Sequence, residues 1–198
     1  ASLDDFRFPD LQQWSLGKIG KTTFLEFSKE GNYKSPVRSP KNIAILSKYD
    51  LGEFIMDLRV SQTGREYGHR DMVVIFGFRD STHFYYTHLA PAPDSNAHNV
   101  FIVNDSARVN LLPVQSKGIE WKNGKWHNIR IKREIINGSI EIYFDDMQTP
   151  VFSLTDRTFI KGHIGFGSFD DSGRIDAIKI WSYTAISTDS KVFNSKSD

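Results

Sequence analysis

The chain has 198 residues, an ordinary length for one all-β domain. It carries 25 basic and 24 acidic residues, a net charge of +1, and no long basic block, so the composition excludes the general electrostatic signature of a nucleic-acid-binding protein. Cysteine is absent, which excludes disulfides, a thiolate nucleophile and cysteine-ligated zinc. No apolar run reaches the roughly 18 residues that a membrane-spanning helix requires, so we expect no membrane span.

Strand-like patterns follow one another along the chain, and no helical periodicity interrupts them. Residues 22–28 and 54–62 alternate between apolar and polar side chains, as a half-buried strand does. Residues 72–78 are almost continuously apolar, which predicts a strand covered on both faces. The other predicted strands are 83–90, 99–105, 107–112, 126–134, 139–146, 163–169 and 174–182.

Turn signals separate these strands. Residues 79–82 are predicted to form a four-residue hairpin loop, and Asn137-Gly138 is the strongest short hairpin signal in the chain. Residues 29–42, with two prolines and many polar side chains, are predicted to form the longest loop. About ten to fourteen short strands separated by turns predict an all-β fold, a two-sheet antiparallel β-sandwich.

Four segments carry a more specific pattern. Asp4-Asp5-Phe6 is followed by Trp14, and residues 46–60 (LSKYDLGEFIMDLRV) have the order of a strand, an acidic turn, a Phe and an alternating strand. Residues 125–146 run from a Trp-led strand through a hairpin to an Asp-ended strand, and residues 162–180 begin Gly-His-Ile-Gly and close with a strand. In this order the segments resemble the concanavalin A-like jelly-roll domains, including the laminin G-like and 3-keto-disaccharide hydrolase-like groups.

The resemblance implies a single jelly-roll domain over residues 1–184, followed by a polar C-terminal tail over 185–198. It also implies a concave outer sheet face of the kind that commonly holds a glycan, although a fold does not fix a function. The chain departs from the 3-keto-disaccharide group, whose Asn-Ser-Gly lead is replaced here by YGHRDMVVIFGF at 67–78. The chemistry of that group is therefore not transferred.

The segment 83–89 concentrates the candidate site residues. In a strand, His83, Tyr85 and Thr87 share one face, whereas Phe84, Tyr86 and His88 share the other. Either row could present tyrosine and histidine to a sugar, because a tyrosine ring packs on C–H groups while its hydroxyl forms hydrogen bonds. The alternative is that these side chains pack in the core, and the sequence does not decide which row faces inward.

Other polar residues complete the expected glycan groove. Asp57 and Arg59 alternate away from the apolar residues of 54–62 and are expected on the outer face of that strand. Arg59 could hold the carboxylate or sulfate of an acidic glycan through its planar guanidinium. The full expected substrate-binding set is Asp57, Arg59, His69, Arg70, Tyr85, Tyr86, His98 and Asn99.

Asp-rich turns offer oxygen ligands for a metal ion. Asp170, Asp171 and Asp176 lie close together in residues 169–176, and jelly rolls of the resembled kind often carry a structural calcium ion. These three residues are the candidate calcium ligands, and no other cofactor is required. The alternative is that they form metal-free turns, for which aspartate is well suited. A zinc site of three histidines at 83, 88 and 98 is disfavoured, since their spacing matches no helical zinc motif.

We therefore expect an extracellular protein that binds a poly- or oligosaccharide on the concave face of the sandwich. We expect it to be secreted, periplasmic or on the cell surface, and no signal peptide is visible in the sequence. One alternative is a polysaccharide lyase, with a base among His83, Tyr85 and His88 and with Arg59 as the cation. A glycosidase needs two carboxylates about 5–10 Å apart, and Asp57 has no evident partner. A laminin G-like protein-interaction domain is the third alternative.

Overall fold

The structure is a computed structural model that describes residues 2–28, 31–188 and 192–193. Within these residues it contains two seven-stranded antiparallel sheets, and the only helical elements are two three-residue 3-10 turns, Leu3–Asp5 and Leu11–Gln13. No helix in this part of the chain is long and apolar enough to cross a membrane. The predicted two-sheet antiparallel β-sandwich is confirmed.

The strands are short and most of them pair with their sequence neighbours. The first sheet has the order β1-β2-β13-β4-β9-β10-β11 and the second has the order β14-β3-β12-β5-β6-β7-β8. In chain order they are β1 (Trp14–Ile19), β2 (Thr22–Phe27), β3 (Asn42–Leu51), β4 (Phe54–Gln62), β5 (Val73–Asp80), β6 (His83–His88), β7 (Asn99–Asn104), β8 (Val109–Asn110), β9 (His127–Arg133), β10 (Ser139–Phe144), β11 (Phe152–Thr155), β12 (Gly162–Ser168), β13 (Gly173–Trp181) and β14 (Ile186–Ser187).

The main core lies between the two sheets. Alternation along β4 buries Phe54, Met56, Leu58 and Val60 there and leaves Asp57 and Arg59 on the outer face, as predicted. The second sheet supplies Phe76, Tyr85 and Phe166 to the same core. Burial of apolar side chains at this interface is the main force that holds the sheets together.

The outer face of the second sheet carries a second apolar cluster. Its buried members include Ile75, Phe84, Tyr86 and Phe101. Side chains from outside the strands pack on this face, namely Tyr33, Val37, Phe169, Val192 and Phe193. The apolar run at 72–78 is therefore covered on both faces, as predicted. Much of the outer face is filled by the protein's own side chains, and an opening remains at one end.

The β5–β6 hairpin differs from the predicted one in its turn. β5 extends to Asp80, which pairs with His83, so the predicted four-residue loop is wrong and two residues connect the strands. Gly77 has a φ of 59° and lies in the bulge that shifts the register between Phe76 and Asp80. Beyond the bulge, Phe76 pairs with Tyr85 and Val74 pairs with Thr87.

Several strands were not predicted or differ in length. The sequence patterns did not indicate β1, β11 or β14, and they indicated only the end of β3, through the segment 46–60. The predicted strand at 107–112 is reduced to Val109–Asn110. The predicted hairpin at Asn137-Gly138 is present between β9 and β10. In the expected tail, β14 pairs with β3, while residues 189–191 and 194–198 lie outside the described residues.

Candidate functional site

A cleft of about 640 Å³ opens at one end of the outer face of the second sheet. It lies where β5 begins and β6 and β12 end, since Val73 pairs with both His88 and Gly167. Four regions form its walls: the segment 31–41 before β3, the loop 67–71 before β5, the segment 96–108 and the loop after β12. The lining includes Tyr33, Lys34, Arg38, Lys41, Tyr67, His69, Asp71, His88, Asn96, Arg108, Phe169 and Asp170.

Arg108 is the most constrained cation of the cleft. Its Nη1 donates to the Tyr86 hydroxyl at 3.0 Å, and its Nη2 donates to the backbone oxygen and Oδ1 of Asn96 at 3.0 and 3.3 Å. The guanidinium also lies 4.5 Å from the centre of the Phe169 ring and 5.0 Å from that of Phe101. These cation–π contacts and hydrogen bonds fix the plane of the guanidinium at the cleft wall.

The cleft also has an acidic region, a cluster of three carboxylates. One ligand oxygen from each of Asp71, Asp170 and Asp171 lies within 4.8 Å of the other two. The Asp71 carboxylate accepts from the Phe169 backbone N–H, and Asp171 Oδ2 accepts from the Tyr67 hydroxyl and the Asp71 N–H, both at 2.7 Å. Burial raises the pKa of Asp71 well above its usual range, and the nearby Asp171 raises it further. The pKa of Asp171 is raised by burial as well.

His88 forms part of the cleft floor. Its ring centre lies 6.5 Å from those of Phe101 and Phe169, and Nε2 lies 3.3 Å from the Arg70 carbonyl. A carbonyl accepts only, so Nε2 carries the proton and Nδ1 is left buried without a hydrogen-bond partner among the described residues. Burial lowers the His88 pKa to about 4, and the charge of Arg108 adds to this shift. His88 is therefore neutral at pH 7.

Of the expected substrate-binding residues, His69 lines the cleft and Arg70 supports it from behind. His69 is exposed, and its Nε2 lies 3.1 Å from Asp94 Oδ2. The Arg70 side chain is 1% exposed and points away from the cleft, donating to Gln62, to the Gly64 carbonyl and to Asn123. These bonds anchor the loop 67–71, which makes Arg70 a positioning residue.

The two rows of β6 face different surroundings. Tyr85 lies in the core between the sheets, where its hydroxyl donates to Asp156 and accepts from the Phe159 N–H at 2.9 Å. Burial raises the Tyr85 pKa to about 12. Tyr86 lies in the outer cluster, where Arg108 covers its hydroxyl. His83 lies at the turn, at the opposite end of β6 from His88, and contacts Asp80 and Asp105 at 2.8 and 3.0 Å.

Asp57 and Arg59 belong to the other sheet and are paired within it. Arg130 makes a two-point contact with Asp57 at 2.6 and 2.7 Å. Arg59 binds Asp176 in the same way, at 2.8 and 2.6 Å. The four expected catalytic residues therefore do not form one site. Arg59 lies on the outer face of the first sheet, and Tyr85 lies between the sheets. His83 and His88 lie at opposite ends of β6.

His98 and Asn99 are buried structural residues at the start of β7. His98 has a φ of 55°, accepts from the Ala90 N–H through Nδ1 at 3.2 Å, and packs 4.8 Å from the Phe152 ring centre. Burial lowers its pKa to about 4. The Asn99 amide donates to the Leu112 carbonyl at 2.9 Å and accepts from the Leu112 N–H at 3.1 Å, which fixes the chain after β8.

The predicted calcium ligands are only partly together. Asp170 and Asp171 belong to the carboxylate cluster, but Asp176 is bound to Arg59 on the other sheet, and Asp71 takes its place in the cluster. The set fits a hard cation in ligand type, since calcium takes oxygen ligands. Among the described residues, Asp170 accepts no hydrogen bond, so its oxygens are available to an ion. The cluster could therefore hold a metal ion.

The sequence patterns missed most of the cleft. The overlooked lining residues include Arg38, Tyr67, Arg108 and Phe169. The available signal was the run KSPVRSPK at 34–41, which places three cations in a loop together with prolines. The fold brings this run beside Arg108, which lies about 70 residues farther along the chain. The Arg108 backbone N–H donates to the Arg38 carbonyl at 3.2 Å.

Comparison with known proteins identifies the fold. No protein-family model and no curated protein sequence matches the chain. Among solved structures, the carbohydrate-binding module CBM66 from Bacillus subtilis gives a TM-score of 0.63 at 12% identity, covering 90% of this chain and 96% of the module. The cellulose-induced protein Cip1 gives 0.61 at 10% identity, covering 92% of this chain and 93% of Cip1.

A lectin-type structure belongs to the same group of matches. The exoplasmic/lumenal domain of VIP36, in a form bound to Ca²⁺ and Man3GlcNAc, gives a TM-score of 0.57 at 11% identity, covering 95% of this chain and 88% of that domain. At such identities the similarity establishes the fold and not the ligand. The chain therefore has the concanavalin A-like jelly-roll fold.

Proposed function

We propose that this protein binds a poly- or oligosaccharide and that the cleft at the end of the second sheet is the binding site. The observation that carries the proposal is the lining of the cleft, which combines the rings of Tyr67 and Phe169 with the side chains of Arg38, His69 and Arg108. Aromatic rings pack on the C–H faces of sugars, and side-chain N–H groups bind their hydroxyls. The volume of about 640 Å³ suits a small oligosaccharide segment.

The fold supports this proposal by analogy. Proteins described as a carbohydrate-binding module and as a Man3GlcNAc-bound lumenal domain share the architecture. The proposed position is more restricted than the expected concave groove, because Tyr33, Val37 and Phe193 pack over the outer face. We infer that the protein meets its glycan in an extracellular or lumenal compartment, as the exoplasmic/lumenal VIP36 domain does.

Cleavage of the glycan is the rival function. Tyr67 and His69 both line the cleft, so it contains the two residue types that could act as the base of a polysaccharide lyase. However, burial and the hydrogen bond to Asp171 raise the Tyr67 pKa above its usual value, which disfavours Tyr67 as a base. Absorbance at about 235 nm, which follows unsaturated uronates formed by elimination, distinguishes binding from lyase activity.

We include a calcium ion in the proposal as a supporting group. Asp71 would supply carboxylate oxygens from the loop 67–71, and Asp170 and Asp171 from the loop after β12. A bound divalent cation would neutralise the mutual repulsion of these carboxylates. Its role would be to hold the loop 67–71 against the loop after β12.

Affinity electrophoresis against neutral and acidic polysaccharides tests the proposed function. We expect retarded migration on at least one polysaccharide, without absorbance at about 235 nm and without new reducing ends. Tyr67→Ala should weaken binding about tenfold, because it removes a ring from the cleft. Tyr183→Ala is the matched control, since Tyr183 is fully exposed and lies outside the cleft.

Two results would overturn the proposal. One is the absence of binding to every polysaccharide in the panel by the intact, folded protein. The other is binding that Tyr183→Ala abolishes and Tyr67→Ala leaves unchanged, which would locate the site elsewhere. Retention of the thermal unfolding transition in both variants shows that the fold is intact.

A further inference from the structure

Arg108 in the cleft has partners of a different kind from those of the arginines on the outer face of the first sheet. On the outer face of the first sheet, Arg59, Arg130 and Arg174 each donate to a carboxylate, at distances between 2.6 and 2.8 Å. Arg108 in the cleft differs, because its hydrogen-bond acceptors are the Tyr86 hydroxyl and the Asn96 backbone and side-chain oxygens. Among the described residues, Arg108 has no carboxylate partner.

A cation that is half-buried without a counter-charge is costly unless something compensates it. The Phe169 and Phe101 rings offset part of the desolvation of Arg108. Its three hydrogen bonds use at most three of the five N–H groups of a guanidinium. At least two N–H groups therefore remain, in a fixed plane, for an acceptor that enters the cleft.

The neighbouring segment increases the positive charge. Lys34, Arg38 and Lys41 line the same cleft, and the Arg108 N–H donates to the Arg38 carbonyl, which holds this segment beside Arg108. Lys34 and Arg38 are exposed and form no salt bridge within the described part of the chain. Burial raises the pKa of Tyr86, and the positive charges of Arg108 and Arg38 partly oppose this shift. Both cations therefore lie near the Tyr86 hydroxyl.

The acids of the cleft do not cancel this charge. Among the described residues, the carboxyl groups of Asp71 and Asp170 line the cleft together with the basic side chains of Lys34, Arg38 and Arg108. Asp71 is buried and directed to the Phe169 backbone N–H. His88 is neutral, so the basic side chains of the lining outnumber its acidic ones within the described part of the chain.

We propose that the cleft selects an acidic glycan, whose sugar units carry a carboxylate or a sulfate, and that Arg108 and Arg38 bind this anionic group. The inference rests on the proposed function and specifies its ligand class. A planar guanidinium matches the paired oxygens of a carboxylate or sulfate. Tyr67 and Phe169 would contact the sugar ring while the two arginines hold its charge.

Matched ligand pairs test the inference by isothermal titration calorimetry. The first pair is an oligogalacturonide and its fully methyl-esterified form, which share a backbone and differ in charge. The second is a sulfated galactan oligosaccharide and its desulfated form. We expect the charged member of at least one pair to bind about tenfold or more tightly than its neutral form, and we expect its affinity to fall as salt increases. The pair that responds identifies the carboxylate or the sulfate.

Variants locate the effect. Arg38→Gln removes an exposed charge without a salt bridge, so it should preserve the fold and weaken the charged ligand about tenfold. Arg108→Lys keeps the charge but loses the planar donors, and we expect a similar loss. Lys125→Gln, an exposed lysine outside the cleft, is the control and should leave affinity unchanged. The urea midpoints of all three should be compared with that of the parent.

The outcomes separate this inference from the proposed function. In one outcome, neutral ligands bind as tightly as charged ones, and Tyr67→Ala weakens binding while Arg38→Gln does not. This outcome would overturn the proposed selection for acidic glycans but would support the glycan site in the cleft. If Lys125→Gln and Arg38→Gln weaken the binding of charged ligands equally, the assignment of Arg38 to the anionic group is wrong. The effect would then come from the overall charge of the protein. The absence of binding to all four ligands and to the polysaccharide panel would overturn both proposals.

Discussion

Tyr85 and Tyr86 are neighbours on β6, yet their hydroxyl groups lie on opposite faces of the second sheet. The Tyr85 hydroxyl bonds to Asp156 and to the Phe159 N–H between the sheets, whereas the Tyr86 hydroxyl accepts from Arg108 on the outer face. The inner tyrosine therefore ties β6 to the loop after β11. The outer tyrosine supports the cation that we propose as a glycan anchor.

Tyr85→Phe should destabilise the fold and leave glycan binding intact. It removes the acceptor of the buried Phe159 N–H and a donor to Asp156. Leaving a buried polar group unpaired costs about 1–3 kcal/mol. Urea denaturation measures the loss, and Tyr183→Phe, at a fully exposed position, should change the free energy of unfolding by less than about 0.5 kcal/mol. Equal stability of Tyr85→Phe and the parent would contradict the structural role.

Gly77→Ala should disrupt the bulge that sets the register of β5. Gly77 has a φ of 59°, and a Cβ there would lie 3.2 Å from the Tyr85 ring. The left-handed conformation alone costs about 1–2 kcal/mol for a residue with a side chain. Gly20→Ala is the matched control, with the same φ of 59° and no atom within 4 Å of a Cβ. We expect Gly77→Ala to lose more stability in urea denaturation, and equal losses would show that packing against Tyr85 is unimportant.

The buried His88 makes stability depend on pH in a defined window. Burial lowers its folded-state pKa to about 4 from an ordinary value of 6.5, so the unfolded chain binds the proton more tightly. The stability is present above the unfolded pKa and is lost as pH falls from about 6.5 towards 4. As pH falls from about 7.5 to about 5, protonation linked to His88 should lower the free energy of unfolding by about 2 kcal/mol.

The variant His88→Gln isolates this titration. Other buried groups with shifted pKa values, namely His98, Asp71 and Asp171, also contribute to the pH dependence of stability. The useful quantity is therefore the difference in pH slope between parent and variant. We expect urea denaturation to show a flatter pH dependence for His88→Gln, whatever its stability at neutral pH. Identical slopes would contradict the burial of a neutral imidazole.

Arg59 should be structural, in contrast to the cleft arginines. Its two-point contact satisfies the buried carboxylate of Asp176. Arg59→Met leaves that carboxylate without its partner, which should cost about 1–3 kcal/mol in unfolding free energy. Glycan affinity should remain unchanged, because Arg59 lies on the other sheet. A loss of affinity at full stability would favour a site on the first sheet.

Calcium should stabilise the protein if the carboxylate cluster binds it. We expect the thermal unfolding temperature to rise with millimolar CaCl₂ and to return to its starting value with excess chelator. Asp170→Asn should abolish this shift without unfolding the chain, since Asp170 is exposed. Glu120→Gln, another exposed acid, serves as the control. A shift that persists in Asp170→Asn would exclude this cluster as the calcium site.

The fold was predictable because its signals are local. Alternation along residues 54–62 identifies both the strand and its inner face, and Asn137-Gly138 identifies a hairpin. The orientation of β6 was not predictable, since both faces of the second sheet are apolar and buried around Tyr85 and Tyr86. The bulge at Gly77 was also hidden, because an apolar run gives no register.

The candidate site depended on contacts between distant segments. Arg108 and Arg38 meet only after β3 and β7 take their places in the second sheet. His69 and Arg70 were both expected in the groove, but only His69 lines the cleft, whereas the Arg70 side chain turns inward. Asp57 and Arg59 were correctly placed on an outer face of a sheet, but that face belongs to the other sheet and its charges are paired.

Chemical-shift mapping of a bound oligosaccharide tests the glycan site most directly. A ¹H–¹⁵N spectrum would be recorded while the tightest ligand of the panel is added to the full chain. We expect the largest changes at backbone amides of 33–41, 67–71 and 169–170, which line the cleft, and none at Ile55 or Trp181 on the first sheet. Changes confined to the first sheet's outer face, with the cleft amides unmoved, would contradict the site.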